Sequence, residues 1–158
     1  PGAYPGIKAE ETAQGSAIAV NLREMAKLNV PVIAVITGEG CSGGALGLAV
    51  ADRVYMLEHS YYTVISPEGC ASILWRDASM SAAAAEALKI TSEDLLKYGI
   101  IDGIIKEPLG GAHCDYEKIG NDLKETIMRA IYELQDINSN RLREDRYNKY
   151  RRMGVFCQ

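Results

Sequence analysis

The sequence predicts an α/β domain with a largely parallel sheet. Short aliphatic runs read as buried strands, helical patterns stand between them, and turn-forming residues mark most of the junctions. From Lys8 to Leu28 the apolar residues Ile18, Leu22, Met25 and Leu28 recur at helical spacing among charged ones, which predicts one amphipathic helix. Pro31 ends that pattern, and VIAVIT (32–37) reads as a short, fully buried strand. After a glycine-rich loop, GALGLAVA (44–51) carries small and aliphatic residues on all sides and predicts a buried helix. Arg53–Leu57 and Tyr61–Ile65 read as further strands.

Ser66-Pro67-Glu68 starts a helix, with a hydroxyl for the N-cap, proline at the first helical position and an acid in the first turn. The alanine-rich stretch Ala78–Lys89 is helical by propensity. Ser92 is placed to cap a short helix ending at Gly99, and IIDGII (100–105) reads as strand. Residues 115–136 give a longer amphipathic helix with Leu123, Ile127, Ile131 and Leu134 on one stripe. A basic, tyrosine-containing helix over 139–152 follows. No internal repeat or low-complexity linker interrupts the chain.

A length of 158 residues suits one domain, large enough to bury about 70% of its unfolded surface. The composition, 47% hydrophobic and 24% charged, is that of a globular protein, and the net charge of −4 argues against nucleic acid as the main partner. That charge is uneven. Residues 1–136 hold 11 Lys and Arg against 19 Asp and Glu, a balance of −8, whereas residues 137–158 hold 6 against 2, a balance of +4.

No apolar run approaches the roughly 20 residues needed to cross a bilayer, and no signal peptide opens the sequence. Cys41, Cys70, Cys114 and Cys157 are widely spaced, with no CxxC and only two histidines in the chain. Reduced thiols in a cytoplasmic protein are therefore expected, with neither a metal site nor a disulfide framework. The opening PGAYPG punctuates a turn inside a fold, which suggests that the sequence starts partway through a larger domain.

The densest motif is TGEGCSGGAL (37–46), in which Gly40-Cys41-Ser42-Gly43-Gly44 satisfies G-x-S-x-G. Ser42 as a nucleophile has the strand–turn–helix setting of a hydrolase elbow, and Asp102 and His113 supply the remaining triad types in order. Those residue types are common, and His113 sits in a glycine-rich loop with nothing local to orient it. Alternatively, Gly43 and Gly44 open a helix. The first amides there lack intrahelical partners, and the absent side chains let an oxyanion approach. Such donors are worth on the order of 3 kcal/mol each to a charge-building transition state. Close helix–strand packing would also explain the glycines. No Gly-Lys-Ser/Thr follows, so this is not a P-loop, and although Gly38, Gly40 and Gly43 match GxGxxG by count, no βαβ unit with an acid ending its second strand accompanies them.

PGAYPG at the start, GEGCSGGAL at 38–46, YYTVISPEGCASILW at 61–75 and EPLGGAH at 107–113 together resemble the carboxyltransferase α subunit of bacterial acetyl-CoA carboxylase. The likeness runs in order along nearly the whole chain. One departure is Cys41, where the family usually has glycine, and a second is the absence of the portion that precedes the proline-glycine loop in the family.

The resemblance implies a crotonase-like fold of ββα units, lacking its N-terminal portion, in an α2β2 enzyme. It implies transfer of a carboxyl group from carboxybiotin, held on a separate biotin carboxyl carrier protein, to acetyl-CoA to give malonyl-CoA for fatty acid synthesis. Gly43 and Gly44 would then be the α-side amide donors to biotin's ureido oxygen. Gly40, Cys41, Ser42, Ser66 and Glu68 are candidates for the substrate pocket. The β subunit would hold the thioester enolate and the family's zinc, leaving no metal on this chain, and α–α self-association is expected.

Other readings remain. Glu68 is the one tempting acid or base for a crotonase-fold hydratase or isomerase, although with Ser66 and Pro67 it also makes an ordinary helix cap. Glu39 reads as a solvated or turn-bonding acid, Trp75 as core and Arg76 as exposed. Arg141, Arg143, Arg146, Arg151 and Arg152 suit CoA phosphates, an acidic partner, a subunit interface or, with steep salt dependence, nucleic acid. The chain on its own can also be a non-enzymatic assembly unit, exposing apolar surface and an open sheet edge.

Overall fold

The computed structural model describes residues 2–154. Pro1 of the opening turn and Cys157 lie outside the described residues. Two helices, α1 (Ile7–Glu11) and α2 (Gln14–Lys27), precede the first strand. The single helix expected over 8–28 is thus broken, at Ala13, which is left-handed (φ 54°, ψ 40°) and cannot continue a right-handed helix.

The chain then makes two turns of one pattern. β1 (Ile33–Ile36) is followed by β2 (Glu39–Cys41) and α3 (Ser42–Ala49), then β3 (Arg53–Leu57) by β4 (Tyr61–Thr63) and α4 (Pro67–Trp75). β1 and β3 pair in parallel, Ile33 opposite Arg53 and Ile36 opposite Met56. β5 (Gly103–Ile105) joins the far side of β3 to give the order β1-β3-β5. β2 and β4 form a separate parallel pair, Glu39 opposite Tyr61 and Cys41 opposite Thr63. Each unit therefore places one strand in each sheet before its helix, the ββα arrangement that the resemblance implies. β2 lies within the segment that the sequence suggests is only a glycine loop.

A 3-10 turn (Ala78–Met80) leads into α5 (Ser81–Leu88), followed by α6 (Ser92–Lys97). Thr91, not Ser92, caps α6: its hydroxyl accepts from the Asp94 amide, while the buried Ser92 donates to Glu58 O. After β5 come α7 (Tyr116–Leu134) and α8 (Ser139–Arg151).

Alternation along β3 sorts the core. Val54 and Met56 pack with Ala51, Leu95 and Ile101, whereas Leu57 packs with Ile105 and Ile119 of α7. α3 is not the fully buried helix its composition suggests: Gly47 and Ala49 are buried, but Leu46 is 40% and Leu48 72% exposed.

Basic α8 is fastened across the chain. Buried Arg146 donates to both carboxylate oxygens of Asp52, at 3.0 and 2.7 Å, and to the carbonyls of Met25, Leu28 and Val30. One guanidinium thus closes the C-terminal end of α2 and neutralises a buried acid.

Candidate oxyanion site at the start of helix α3

β1 runs into β2, and β2 runs directly into α3. Gly40 is buried in β2, where a Cβ would stand 3.0 Å from the Tyr62 ring and 3.2 Å from Ile36 Cγ2. Packing of the two sheets explains that glycine. Cys41, half-buried and extended (φ −137°, ψ 138°), is the N-cap, and Ser42 follows in the left-handed region at φ 57°. A non-glycine residue held there costs about 1–3 kcal/mol, a strain the surrounding structure sustains where the chain turns into the helix.

No side chain caps α3, and among the described residues neither the Gly43 nor the Gly44 amide donates to a loop or another element. These amides occupy the first turn, where helix geometry supplies no acceptor and the axial dipole is positive. At Gly43 the nearest atom to a built Cβ is Ile18 Cγ2 at 3.7 Å, an ordinary contact. Packing therefore does not require glycine at 43, in contrast to 40, and alanine would favour the helix by about 1 kcal/mol.

The start of α3 divides two cavities. One of about 440 Å³ lies toward α1 and α2, bounded by Glu10, Ala13, Gln14, Ser16 and Ile18, and reaches Ser42, Gly43 and Gly44. The other, about 400 Å³ and largely apolar, is walled by Leu46, Tyr62, Leu88, Leu95 and Tyr150 and reaches Ser42 and Gly43. Gly43 borders both. On β4, burial raises the Tyr61 phenol above its ordinary range, and the negative charge of Glu39 on the paired strand adds to the effect.

Ser66 accepts from the Gly69 amide at 3.1 Å as the α4 cap, and both Ser66 and Glu68 are exposed and border neither cavity. The triad geometry is absent. Asp102 accepts from the Val54 amide at 2.7 Å and pairs with Lys149, and His113 stands in a separate 3-10 turn. Among the described residues no hydrogen bond joins Ser42, Asp102 and His113.

Trp75, expected in the core, is 44% exposed at the end of α4, because the small interior of the α4–α5 hairpin is filled by Cys70, Ala71 and Ala84. Arg76 is exposed, as the sequence suggests. Arg146 leaves the expected ligand-binding cluster for its buried bond to Asp52. Tyr150 was not singled out by sequence reasoning, since its partners at Ala49 and Ala51 lie 101 and 99 residues away. Among the described residues no three His, Cys, Asp or Glu side chains are grouped to hold a metal ion, and no helix is long and apolar enough to cross a membrane.

Paired amides at a helix start, on a scaffold of ββα units, define a crotonase-like domain. Solved structures share that fold. A transcarboxylase 12S chain with methylmalonyl-coenzyme A and methylmalonic acid bound superposes with TM-score 0.68 at 22% identity, over 85% of this chain and 26% of its own. The Pseudomonas malonate decarboxylase MdcD-MdcE hetero-dimer gives 0.72 at 16%, over 96% of this chain and 63% of its own.

The chain belongs to the acetyl co-enzyme A carboxylase carboxyltransferase-like family, which it matches over residues 1–154. Among its relatives, the acetyl-coenzyme A carboxylase carboxyl transferase subunit alpha of Geobacter metallireducens is 59% identical over the whole chain and 50% of its own length. The protein of the same name from Synechococcus elongatus is 56% identical over the whole chain and 48% of its own length. The chain spans about half the length of these curated relatives.

Proposed function

We propose that this chain forms the biotin-facing part of a carboxyltransferase site, in an α subunit that moves a carboxyl group to acetyl-CoA and yields malonyl-CoA for fatty acid synthesis. The observation that carries the reading is the pair of amides at Gly43 and Gly44, which among the described residues donate to no loop or other element and which both border the cavity toward α1 and α2, Gly43 bordering the apolar one as well. A bicyclic urea fits this place chemically: two N–H donors suit its oxygen, and Pro5, Ala9, Ala13 and Ile18, which line the cavity that both glycines border, suit its hydrocarbon body. When bound, carboxybiotin supplies the carboxyl group as CO2, leaving negative charge on the urea oxygen.

This chain's part is electrostatic. The Gly43 and Gly44 amides donate to the atom on which charge collects, and the positive end of α3 lowers the energy of that charge. Because these donors are main-chain groups fixed by the helix, they need no reorganisation as charge develops. Ser42 need not attack anything, which agrees with the separation of Asp102 from His113. The acetyl-CoA thioester belongs on this reading to the β subunit. The remaining partners are a biotin carboxyl carrier protein and a second α subunit, in the cytoplasm.

The test is reconstitution. A full-length α subunit containing this segment, co-expressed with its cognate β subunit, is expected to form malonyl-CoA from acetyl-CoA and the carboxylated carrier. An assembled complex that forms none overturns the reading.

A further inference from the structure

We infer that Tyr150 is a positioning residue for carboxyl transfer, acting through α3; the inference rests on the function proposed above. α3 has eight residues, so it is a rod about 12 Å long whose far end sets where its near end stands. Tyr150 holds that far end. Its phenol oxygen donates to the Ala49 carbonyl at 2.5 Å and accepts from the Ala51 amide at 2.9 Å. Ala49 and Ala51 are both buried.

The anchor itself is fixed. Arg146, one helical turn before Tyr150 on the same face of α8, is locked to Asp52, and Lys149 bonds Asp102 and the Asp52 carbonyl. α8 thus grips the whole 49–52 connection, while Asn21 of α2 donates to the Gly47 carbonyl from another helix. The Tyr150 ring also walls the apolar cavity that Ser42 and Gly43 border. One side chain therefore holds the end of α3 with its hydroxyl and lines the cavity that runs beside the helix to Ser42 and Gly43.

Removing the hydroxyl leaves a buried carbonyl and a buried amide unpaired, and α3 can shift or tilt to relieve them. A displacement of a fraction of an ångström at Gly43 and Gly44 weakens hydrogen bonds to developing charge without touching the thioester. The expected mark is a fall in kcat with an unchanged KM for acetyl-CoA.

The experiment uses the full-length α subunit assembled with β, with rates expressed per assembled complex. Y150F is expected to lower kcat about tenfold while the acetyl-CoA KM stays within about twofold. Y147F, which alters an exposed tyrosine on the same helix, is expected to leave both unchanged. Unchanged kcat in Y150F overturns the inference, as does a loss confined to the yield of assembled complex.

Should Y150F not assemble, N21A releases α3 from its other side. A kcat loss at constant KM then supports control through α3, and an unaltered kcat overturns the inference, because releasing α3 then costs carboxyl transfer nothing. Inactivity of the wild-type complex instead refutes the proposed function, a result visible before any variant is made.

Discussion

A methyl group added at position 43 separates packing from ligand access. Its nearest neighbour would be Ile18 Cγ2 at 3.7 Å, and alanine gains about 1 kcal/mol over glycine inside a helix. G43A is therefore expected to melt at or slightly above the wild-type temperature, while carboxyl transfer by the assembled enzyme falls at least about tenfold because the methyl stands where the anion must approach. A stable G43A with full turnover would show that the open face of Gly43 is not used. The sequence alone could place the two glycines at a helix start, since a strand pattern precedes and an aliphatic helix follows them. It could not separate their roles from that of Gly40, because the Tyr62 ring and Ile36 that crowd Gly40 arrive from elsewhere in the fold. Nor did it mark Ser42 as left-handed, for nothing in a serine's chemistry announces that conformation.

At the scale of elements, the long periodic helices were the most legible parts, and the shortest elements the least. α7 and α8 lie close to the predicted ranges, because a stripe of apolar residues or a run of helix formers repeats over several turns. β2 has three residues and too little alternation to register, and the break between α1 and α2 falls on Ala13, a helix former held left-handed by its surroundings. The basic residues of α8 look alike in sequence, yet Arg146 is buried and Arg151 exposed, a difference set by Asp52 standing 94 residues away. R146A would leave the Asp52 carboxylate buried without its cation and would remove the donor shared by three carbonyls. It is expected to destabilise the fold by about 3–5 kcal/mol, read from chemical denaturation. R146K is expected to recover only part of that loss, because one ammonium cannot reach all the acceptors that the guanidinium fork serves. A loss below about 1 kcal/mol in R146A would mean that the α8 lock is not the structural tie it resembles.

For the whole molecule, the decisive feature is apolar surface at the end of α4. Ile73, Leu74 and Trp75 are consecutive and 71%, 65% and 44% exposed, and Met80 in the following turn is 41% exposed. Consecutive helical residues point about 100° apart, so this end of the helix faces solvent around most of its circumference. The sequence predicted burial for Trp75 because aromatic size and an apolar neighbourhood usually indicate core, and that rule holds only when all the covering polypeptide belongs to the same chain. Covering one such side chain fully is worth about 1.5–3 kcal/mol, so several together favour association over solvation. The 158-residue chain alone is accordingly expected to self-associate, with light scattering giving a mass that rises with concentration. I73E combined with L74E places two charges on that surface while leaving the Cys70, Ala71 and Ala84 contacts intact, and should return the chain to a monomer without loss of helix content. A wild-type chain that scatters as a monomer at every concentration would mean that this apolar end is tolerated in water, and the argument for self-association through α4 would fail.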